Sequence, residues 1–211
     1  MSAKVQAEDF IRDSCPAIEH LFAALSGYNV ALEKAQTTVE EIENSEQLLS
    51  DLFMYRDQWS PNANHYYVQY MTRMQEFEHQ KQEAEADDTE KLEKALNSIS
   101  ATIESMSSLA GAVLQIAKQS LSLRHAGKPN ICDVRVIGSQ SVVEIIWEGR
   151  NHAMHWDEGV PRVNVSNMLN ALEADLGITI EPGKNNCLSI IGALGWKTPD
   201  DVVYDLSMLV Q

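Results

Sequence analysis

The sequence has few cysteines, few helix-breaking residues and no long apolar run. Its three cysteines, Cys15, Cys132 and Cys187, stand far apart. This excludes the paired spacing of a disulfide framework or a zinc knuckle and favours a reducing cytoplasm. No stretch approaches the roughly 20 apolar residues of a membrane span, and the N-terminus lacks the apolar core of a signal peptide. We therefore expect a cytoplasmic protein that neither spans nor binds a membrane.

Basic residues are also scarce. The chain has 16 Lys and Arg against 31 Asp and Glu, which gives a formal net charge of -15. A surface of this kind does not bind nucleic acid or anionic lipid non-specifically, so an anionic ligand requires a local basic cleft. The acidic excess is uneven, with 8 basic and 20 acidic residues in 1–110 against 8 and 11 in 111–211. The second half is the better place for an anion site.

Glycine and proline are sparse before residue 127, which leaves room for very long helices. In this region the apolar residues recur at alternating steps of three and four, the pattern of amphipathic helices. Ser14 is a suitable N-cap, and Pro16 fits a first helical turn. The sequence therefore predicts a long helix over 15–57, which ends at the segment Trp59–Asn62.

A second apolar stripe is interrupted by the acidic segment Glu85–Asp88. We interpret this segment as a turn, with Asp87 and Glu90 as the capping box of the next helix. The prediction is a long antiparallel helical hairpin over 61–125, with its tip near Asp87. Such stripes occur in the core of a helical bundle and also in a coiled arm that binds a partner or a second copy, and both interpretations stay open.

The chain changes character beyond the hairpin. The β-branched segment 131–139 predicts a short strand or an extended loop, and Ser139 predicts the N-cap of a helix within 139–159. Residues 160–211 predict a C-terminal helical extension, with Gly177 closing one helix and Thr198 capping the last. Together these elements predict a single all-α domain over 1–211.

The helix within 139–159 has the residues best suited to chemistry, in the string Arg150-Asn151-His152-Ala153-Met154-His155. Arg150 and His155 are about 140° apart around an ideal helix, whereas Asn151 and His155 share a face. RNA cleavage without a metal needs a base, an acid and a cation for the scissile phosphate, and histidine and arginine supply these groups. Two copies related by a two-fold axis would bring two histidines and two arginines into one cleft.

This string resembles the Arg-polar-x(3–4)-His signature of the HEPN superfamily, a group of all-helical proteins that includes toxin, phage-defence and RNA-processing ribonucleases. The flanking segments 145–149 and 156–159 are also similar to HEPN sequences. The resemblance implies a HEPN-type helical bundle and a metal-independent endoribonuclease, which cleaves RNA, with tRNA as a candidate, in a cleft shared by a homodimer.

The resemblance also implies a role for each motif residue. Arg150 would stabilise the phosphate, His155 would act as base or acid, and Asn151 would orient one of them or the phosphate. In a toxin or phage-defence context, an antitoxin or a regulatory protein would be a further partner.

Three more residues are candidates for substrate binding. Arg124, near the end of the predicted hairpin, would add a phosphate contact, and Trp156 would stack on a base, while His152 occupies a variable position of the motif. No cofactor and no metal are predicted. A weaker alternative is a metal site of His152 and His155 with Asp157 or Glu158, for which the sequence has no second ligand cluster.

The opposing hypothesis is a non-catalytic HEPN-like or coiled-coil module that binds another protein. In that case Arg150 would pair with Glu144 or Asp157, and His155 would interact only with the C-terminus of its helix. In a ribonuclease, Arg150 would instead contribute its charge to a positive cleft. The partners of Arg150 therefore distinguish the two hypotheses.

Overall fold

A computed structural model describes residues 2–56, 64–129, 131 and 135–211, with side-chain surroundings for those outside 43–86. This part of the chain forms six helices and one two-stranded sheet, so the prediction of a mainly helical fold is confirmed. The elements are α1 (Ala3–Arg56), α2 (Asn64–His125), β1 (Val136–Ile137), β2 (Gln140–Ser141), α3 (Val142–His155), α4 (Val163–Leu176), α5 (Cys187–Ala193) and α6 (Pro199–Leu209). None of the described helices has both the length and the apolar composition to cross a membrane.

The chain divides into two compact units where the sequence predicts one domain. Unit 1 contains residues 1–28 and 103–211, and unit 2 contains residues 29–102. The helices α1 and α2 each contribute residues to both units. The Arg150 motif and the whole C-terminal extension 160–211 belong to unit 1.

The predicted hairpin over 61–125 is wrong, because α2 is continuous from Asn64 to His125. Residues 85–88 are helical, and Asp87 pairs with Lys91, one turn further on, at 2.5 Å. Ion pairs at this spacing stabilise a helix. Neither glycine nor proline occurs between residues 62 and 110 to stop it. The acidic segment is therefore part of one long helix and not a turn.

The start of α1 also differs from the prediction of a helix over 15–57. The helix begins at Ala3, and Pro16 lies inside it. Ala7 and Ile11 are buried and extend the apolar stripe of Ile18 toward the N-terminus. Their spacing fits a helix, so the burial of this stripe outweighs the backbone hydrogen bond that Pro16 cannot donate.

The core of unit 1 is apolar and holds the motif helix in place. Fully buried side chains come from all six helices and include Ile18, Leu114, Leu121, Ile145, Ile146, Leu172, Ile190 and Leu206. The helix α3 packs against α4 and α5. A Cβ atom at Gly149 would lie 3.0 Å from Cγ2 of Ile190, and one at Gly111 would lie 3.1 Å from Cβ of Ala153. Two glycines therefore let α3 lie close to α5 and α2.

The N-cap of the motif helix lies two residues after the predicted one. The Oγ of Ser141, and not that of Ser139, accepts a hydrogen bond from the N–H of Glu144, at 3.1 Å. Ser139 instead donates its N–H and its Oγ–H to Asp175 on α4, at 2.6 and 2.7 Å. Within the described part of 131–139, the strand is β1, which pairs antiparallel with β2, while residues 132–134 lie outside the described residues.

The C-terminal extension 160–211 is helical as predicted. Gly177 ends α4 in the left-handed conformation, with φ 65. The Thr198 hydroxyl accepts a hydrogen bond from the N–H of Asp201 at the start of α6, and Pro199 is the first residue of that helix. Both boundaries depend on local backbone chemistry, which is why the sequence predicts them correctly.

Candidate functional site

Arg150 lies on α3, where this helix meets α2. Its side chain is half-buried, and its Nε donates to the Oε1 of Gln115 on α2, at 2.5 Å. Gln115 is neutral, and no carboxylate of the described residues forms an ion pair with Arg150. Glu144, one of the partners considered from the sequence, pairs with Lys128 instead. The charge of Arg150 is therefore not neutralised by direct contact in the described part of the chain.

Lys118 places a second cation beside the motif. Its Nζ donates to the Oδ1 of Asn151, at 2.9 Å, and lies 4.4 Å from the centroid of the Trp147 ring, within cation–π range. Both of these partners are neutral. We call Lys118 and Arg150, together with Gln115, Trp147 and Asn151 that contact them, the cation cluster.

The electrostatics of the cluster favour an anion. The pKa of Lys118 is lowered, first by partial burial and then by the charge of Arg150, with further contributions from Lys128 and Arg162. Glu148 acts in the opposite direction and raises it. The acidic chain therefore contains a local region where positive charges repel each other, which is the property that an anion site needs.

A buried carboxylate orders the polar residues around the cluster. Glu148 is 5% exposed, and its Oε1 accepts from Lys128 at 2.9 Å, while its Oε2 accepts from the Nδ2 of Asn151 at 3.0 Å. Lys128 also pairs with Glu144 at 2.7 Å. Although burial lowers the pKa of Lys128, its two carboxylate partners outweigh that effect and raise it. Asn151 is thus held at both ends of its amide, by Glu148 and by Lys118.

His155 is the last residue of α3 and is partly exposed. Its Nδ1 lies 2.6 Å from the Oε1 of Glu158, and 34% of its side chain is accessible. In the neutral ring, Nδ1–H donates to Glu158 and Nε2 keeps a lone pair that can accept a proton. His155 follows Asn151 by one turn on the same face, whereas Arg150 lies about 100° from Asn151 in the other direction. Among the described contacts, none joins His155 directly to Arg150.

His152 lies in the core and not in the cluster. Its side chain is buried, and its Nε2 accepts from the N–H of Asn186, at 3.0 Å. Its Nδ1 has no hydrogen-bond partner within the described residues. Burial lowers the pKa of His152. The structure therefore gives His152 a packing role between α3 and α5, in place of the predicted substrate contact.

Arg124 binds the end of α6. Its Nε donates to the carbonyl of Val210 at 2.9 Å, and its Nη2 donates to the carbonyl of Gln211 at 3.2 Å. Because helix C-termini leave carbonyls without partners, an arginine there has a structural function. Arg124 therefore contacts the C-terminal end of α6, and its phosphate contact stays a prediction. Trp156 is the C-cap of α3. The tryptophan that belongs to the cation cluster is Trp147.

The described residues contain no group of three or more His, Cys, Asp or Glu side chains that could hold a metal ion. The alternative metal site with His152 and His155 is not formed there, since His152 is buried against Asn186. Cys187 is also buried, which raises the pKa of its thiol to about 12. This thiol is therefore not a nucleophile at neutral pH.

No motif in the sequence identifies Gln115 and Lys118 as site residues. They lie three residues apart on α2 and contact motif residues that follow 35 and 33 positions later. Their one sequence signal is a shared polar face beside the buried residues Leu114 and Ala117. The pairing of that face with α3 depends on the fold.

The cluster can bind a phosphate through Arg150 and Lys118 and has a partly exposed imidazole one turn away. No family model matches the chain, and no curated protein or solved structure matches it either.

Proposed function

We propose that the chain is a metal-independent endoribonuclease of HEPN type, which cleaves RNA in a composite cleft of a homodimer. By the resemblance of its motif, it acts in the cytoplasm in a toxin or phage-defence context, with tRNA as a candidate substrate. An antitoxin or a regulatory protein would restrain it.

One observation supports this function above the others: the positive charge of Arg150 is not paired with a carboxylate among the described residues. Arg150 donates to neutral Gln115, while Glu144 and Glu148 are both bound to Lys128. An arginine with only a structural role would be expected to form an ion pair with a carboxylate, as Lys128 does. A guanidinium beside a second cation is instead suited to a phosphate, which it binds through two parallel hydrogen bonds.

The reaction is a transesterification. The 2′-oxygen attacks the phosphorus, its proton passes to the Nε2 of one His155, and the bond from phosphorus to the 5′-oxygen breaks. The leaving 5′-oxygen takes a proton from a second imidazole, so the products have a 2′,3′-cyclic phosphate and a 5′-hydroxyl. Arg150 stabilises the charge that develops on the phosphate oxygens.

The need for two imidazoles is the reason to propose a dimer. One copy supplies one exposed motif histidine, because His152 is buried. The acid would be His155 of the partner subunit. Glu158 keeps the base in the required tautomer, since its carboxylate accepts from Nδ1 and leaves Nε2 for the substrate.

The test compares Arg150→Ala and His155→Ala with the wild-type protein on total RNA and tRNA in EDTA. The matched controls are Arg12→Ala and His20→Ala, because both residues are exposed on α1 and lie outside the cluster. We expect both motif variants to lose cleavage and both controls to keep it, at unchanged helicity and association state. Equal cleavage by all five proteins would overturn the proposal.

The second candidate is a non-catalytic module that binds a protein partner. The 54-residue α1 and the 62-residue α2 favour it, because the described residues of unit 2 belong to these two helices and include no motif residue. This candidate predicts no RNA cleavage by the wild-type protein, by the motif variants or by the controls.

A further inference from the structure

We propose that Lys118 is a second phosphate-binding residue of this site, held in place by Asn151 and Trp147. The proposal rests on the ribonuclease function and adds to it a residue outside the motif. It also gives Asn151 a function as a positioning residue for Lys118.

The position of Lys118 is the first support. Gln115 and Lys118 are neighbours on one face of α2, and they contact the adjacent motif residues Arg150 and Asn151. The two cations therefore extend from facing turns of α2 and α3, close enough for Arg150 to lower the pKa of Lys118. In the proposed complex they bind one phosphate or two successive phosphates of one strand.

The partners of Lys118 are the second support. An ammonium group has three N–H donors, and one of them is used by the Oδ1 of Asn151. The Trp147 ring holds the group from one side without neutralising its charge. No carboxylate of the described residues forms an ion pair with Lys118, so donors and charge remain for an anion.

Lys128, which follows the end of α2, is by contrast a structural lysine. It pairs with Glu144 and Glu148 at 2.7 and 2.9 Å, and its charge is satisfied within the protein. Lys118 is partly buried like Lys128, but Arg150 repels it. A lysine kept partly buried beside another cation stabilises the fold less than an apolar side chain of the same length would, which is typical of a functional residue.

The amide of Asn151 explains how Lys118 is oriented. Its Nδ2 donates to the buried Glu148, which fixes the direction of its Oδ1 toward Lys118. The Oδ1 of Asn151 and one of the two N–H groups of its Nδ2 are thus occupied by Lys118 and Glu148. Asn151 therefore contributes to the site by orienting Lys118.

The experiment measures binding without cleavage. The probe is a fluorescein-labelled single-stranded 2′-O-methyl RNA, which lacks the attacking hydroxyl, and its affinity for the full-length protein is measured by fluorescence anisotropy over a range of salt concentrations. The variants are Lys118→Met, which keeps the length of the side chain, and Lys118→Arg, which keeps the charge. Lys94→Met is the matched control, because Lys94 is exposed and pairs with Glu90 on the same helix.

We expect Lys118→Met to bind the probe about tenfold more weakly than Lys94→Met, as for the loss of one charge-assisted hydrogen bond. For Lys118→Met, the plot of log affinity against log salt concentration should become shallower, with a slope smaller in magnitude by about 0.7 for each site. Lys118→Arg should recover most of the affinity. The melting temperature of Lys118→Met should not fall below that of the wild type. If Lys118 had a structural role, the melting temperature of this variant would fall.

The outcomes separate the two proposals. Equal affinity and equal salt slope for Lys118→Met and Lys94→Met would overturn the role of Lys118, even if the wild type cleaves RNA. Weaker binding by Lys118→Met would support that role, even if His155→Ala cleaves RNA as the wild type does and the proposed catalysis fails. No saturable binding by any of the proteins would overturn both.

Discussion

Replacing Gln115 with glutamate tests whether the site uses the charge of Arg150. The Oε1 of Gln115 lies 2.5 Å from the Nε of Arg150, and glutamate has nearly the same shape, so Gln115→Glu converts a neutral contact into an ion pair. Two unit charges 4 Å apart attract by about 4 kcal/mol at an effective dielectric constant of 20. Solvent at this half-buried position reduces the net gain to about 1.5–3 kcal/mol.

A phosphate must compete with that ion pair for Arg150. We therefore expect kcat/KM for RNA cleavage by Gln115→Glu to fall by about 10- to 100-fold, since about 1.4 kcal/mol corresponds to a factor of ten. The melting temperature should stay constant or rise, because the new carboxylate also reduces the repulsion between Arg150 and Lys118.

The assay is a time course of RNA cleavage in EDTA, with the melting temperature measured on the same samples. Gln119→Glu is the matched control, since Gln119 is exposed one turn further along α2 and the variant adds the same charge. If Gln115→Glu cleaves RNA at the rate of Gln119→Glu, the charge of Arg150 does not contribute to cleavage, contrary to the proposal.

Three further predictions concern the scaffold that positions the site. Asp205 is a buried carboxylate on α6 that accepts hydrogen bonds from an arginine and a tryptophan, so urea unfolding should show a loss of about 3 kcal/mol for Asp205→Ala and little loss for the exposed Asp200→Ala. A loss of equal size in both variants would contradict this. Because burial lowers the pKa of His152 below its usual 6.5, the unfolded chain binds a proton first as the pH falls. The melting temperature of the wild type should therefore drop more below pH 6.5 than that of His152→Gln, and parallel curves would show that His152 does not contribute. A Cβ atom at Gly138 would lie 2.5 Å from an aspartate side chain of α4, whereas one at Gly177 would meet nothing within 4 Å, and both residues have positive φ. Gly138→Ala should therefore lose more stability in urea unfolding than Gly177→Ala, which loses about 1–2 kcal/mol, and equal losses would contradict the described packing at Gly138.

The helix boundaries that the sequence predicts correctly are those fixed by local backbone chemistry. Thr198 with Pro199 starts α6, and Gly177 ends α4, because each residue satisfies its own helix terminus. The predicted turn at Glu85–Asp88 fails for a related reason. Acidic residues are common in turns, but at i,i+4 spacing from lysines they equally stabilise a helix, and no residue nearby forces the chain to turn.

The candidate site could be predicted only in part. The spacing of Arg150, Asn151 and His155 locates it on one helix, since that information is contained within two turns. Gln115 and Lys118 contact the motif only because α2 packs against α3, and their charge and polarity alone give no sign of that contact. The contact of Arg124 with the end of α6 also depends on packing, because an arginine at a helix end can bind either a phosphate or a neighbouring helix terminus.

Cleavage of one RNA oligonucleotide in EDTA by wild-type protein and by His155→Ala, at equal association state by light scattering, tests the composite histidine site. A 2′-O-methyl copy of the same oligonucleotide is incubated in parallel. We expect the wild-type dimer to cut the RNA to products with 2′,3′-cyclic phosphate ends and to leave the methylated copy intact, and we expect His155→Ala to cut neither. Cutting of the RNA by His155→Ala at the wild-type rate, or cutting of the methylated copy, would contradict this proposal.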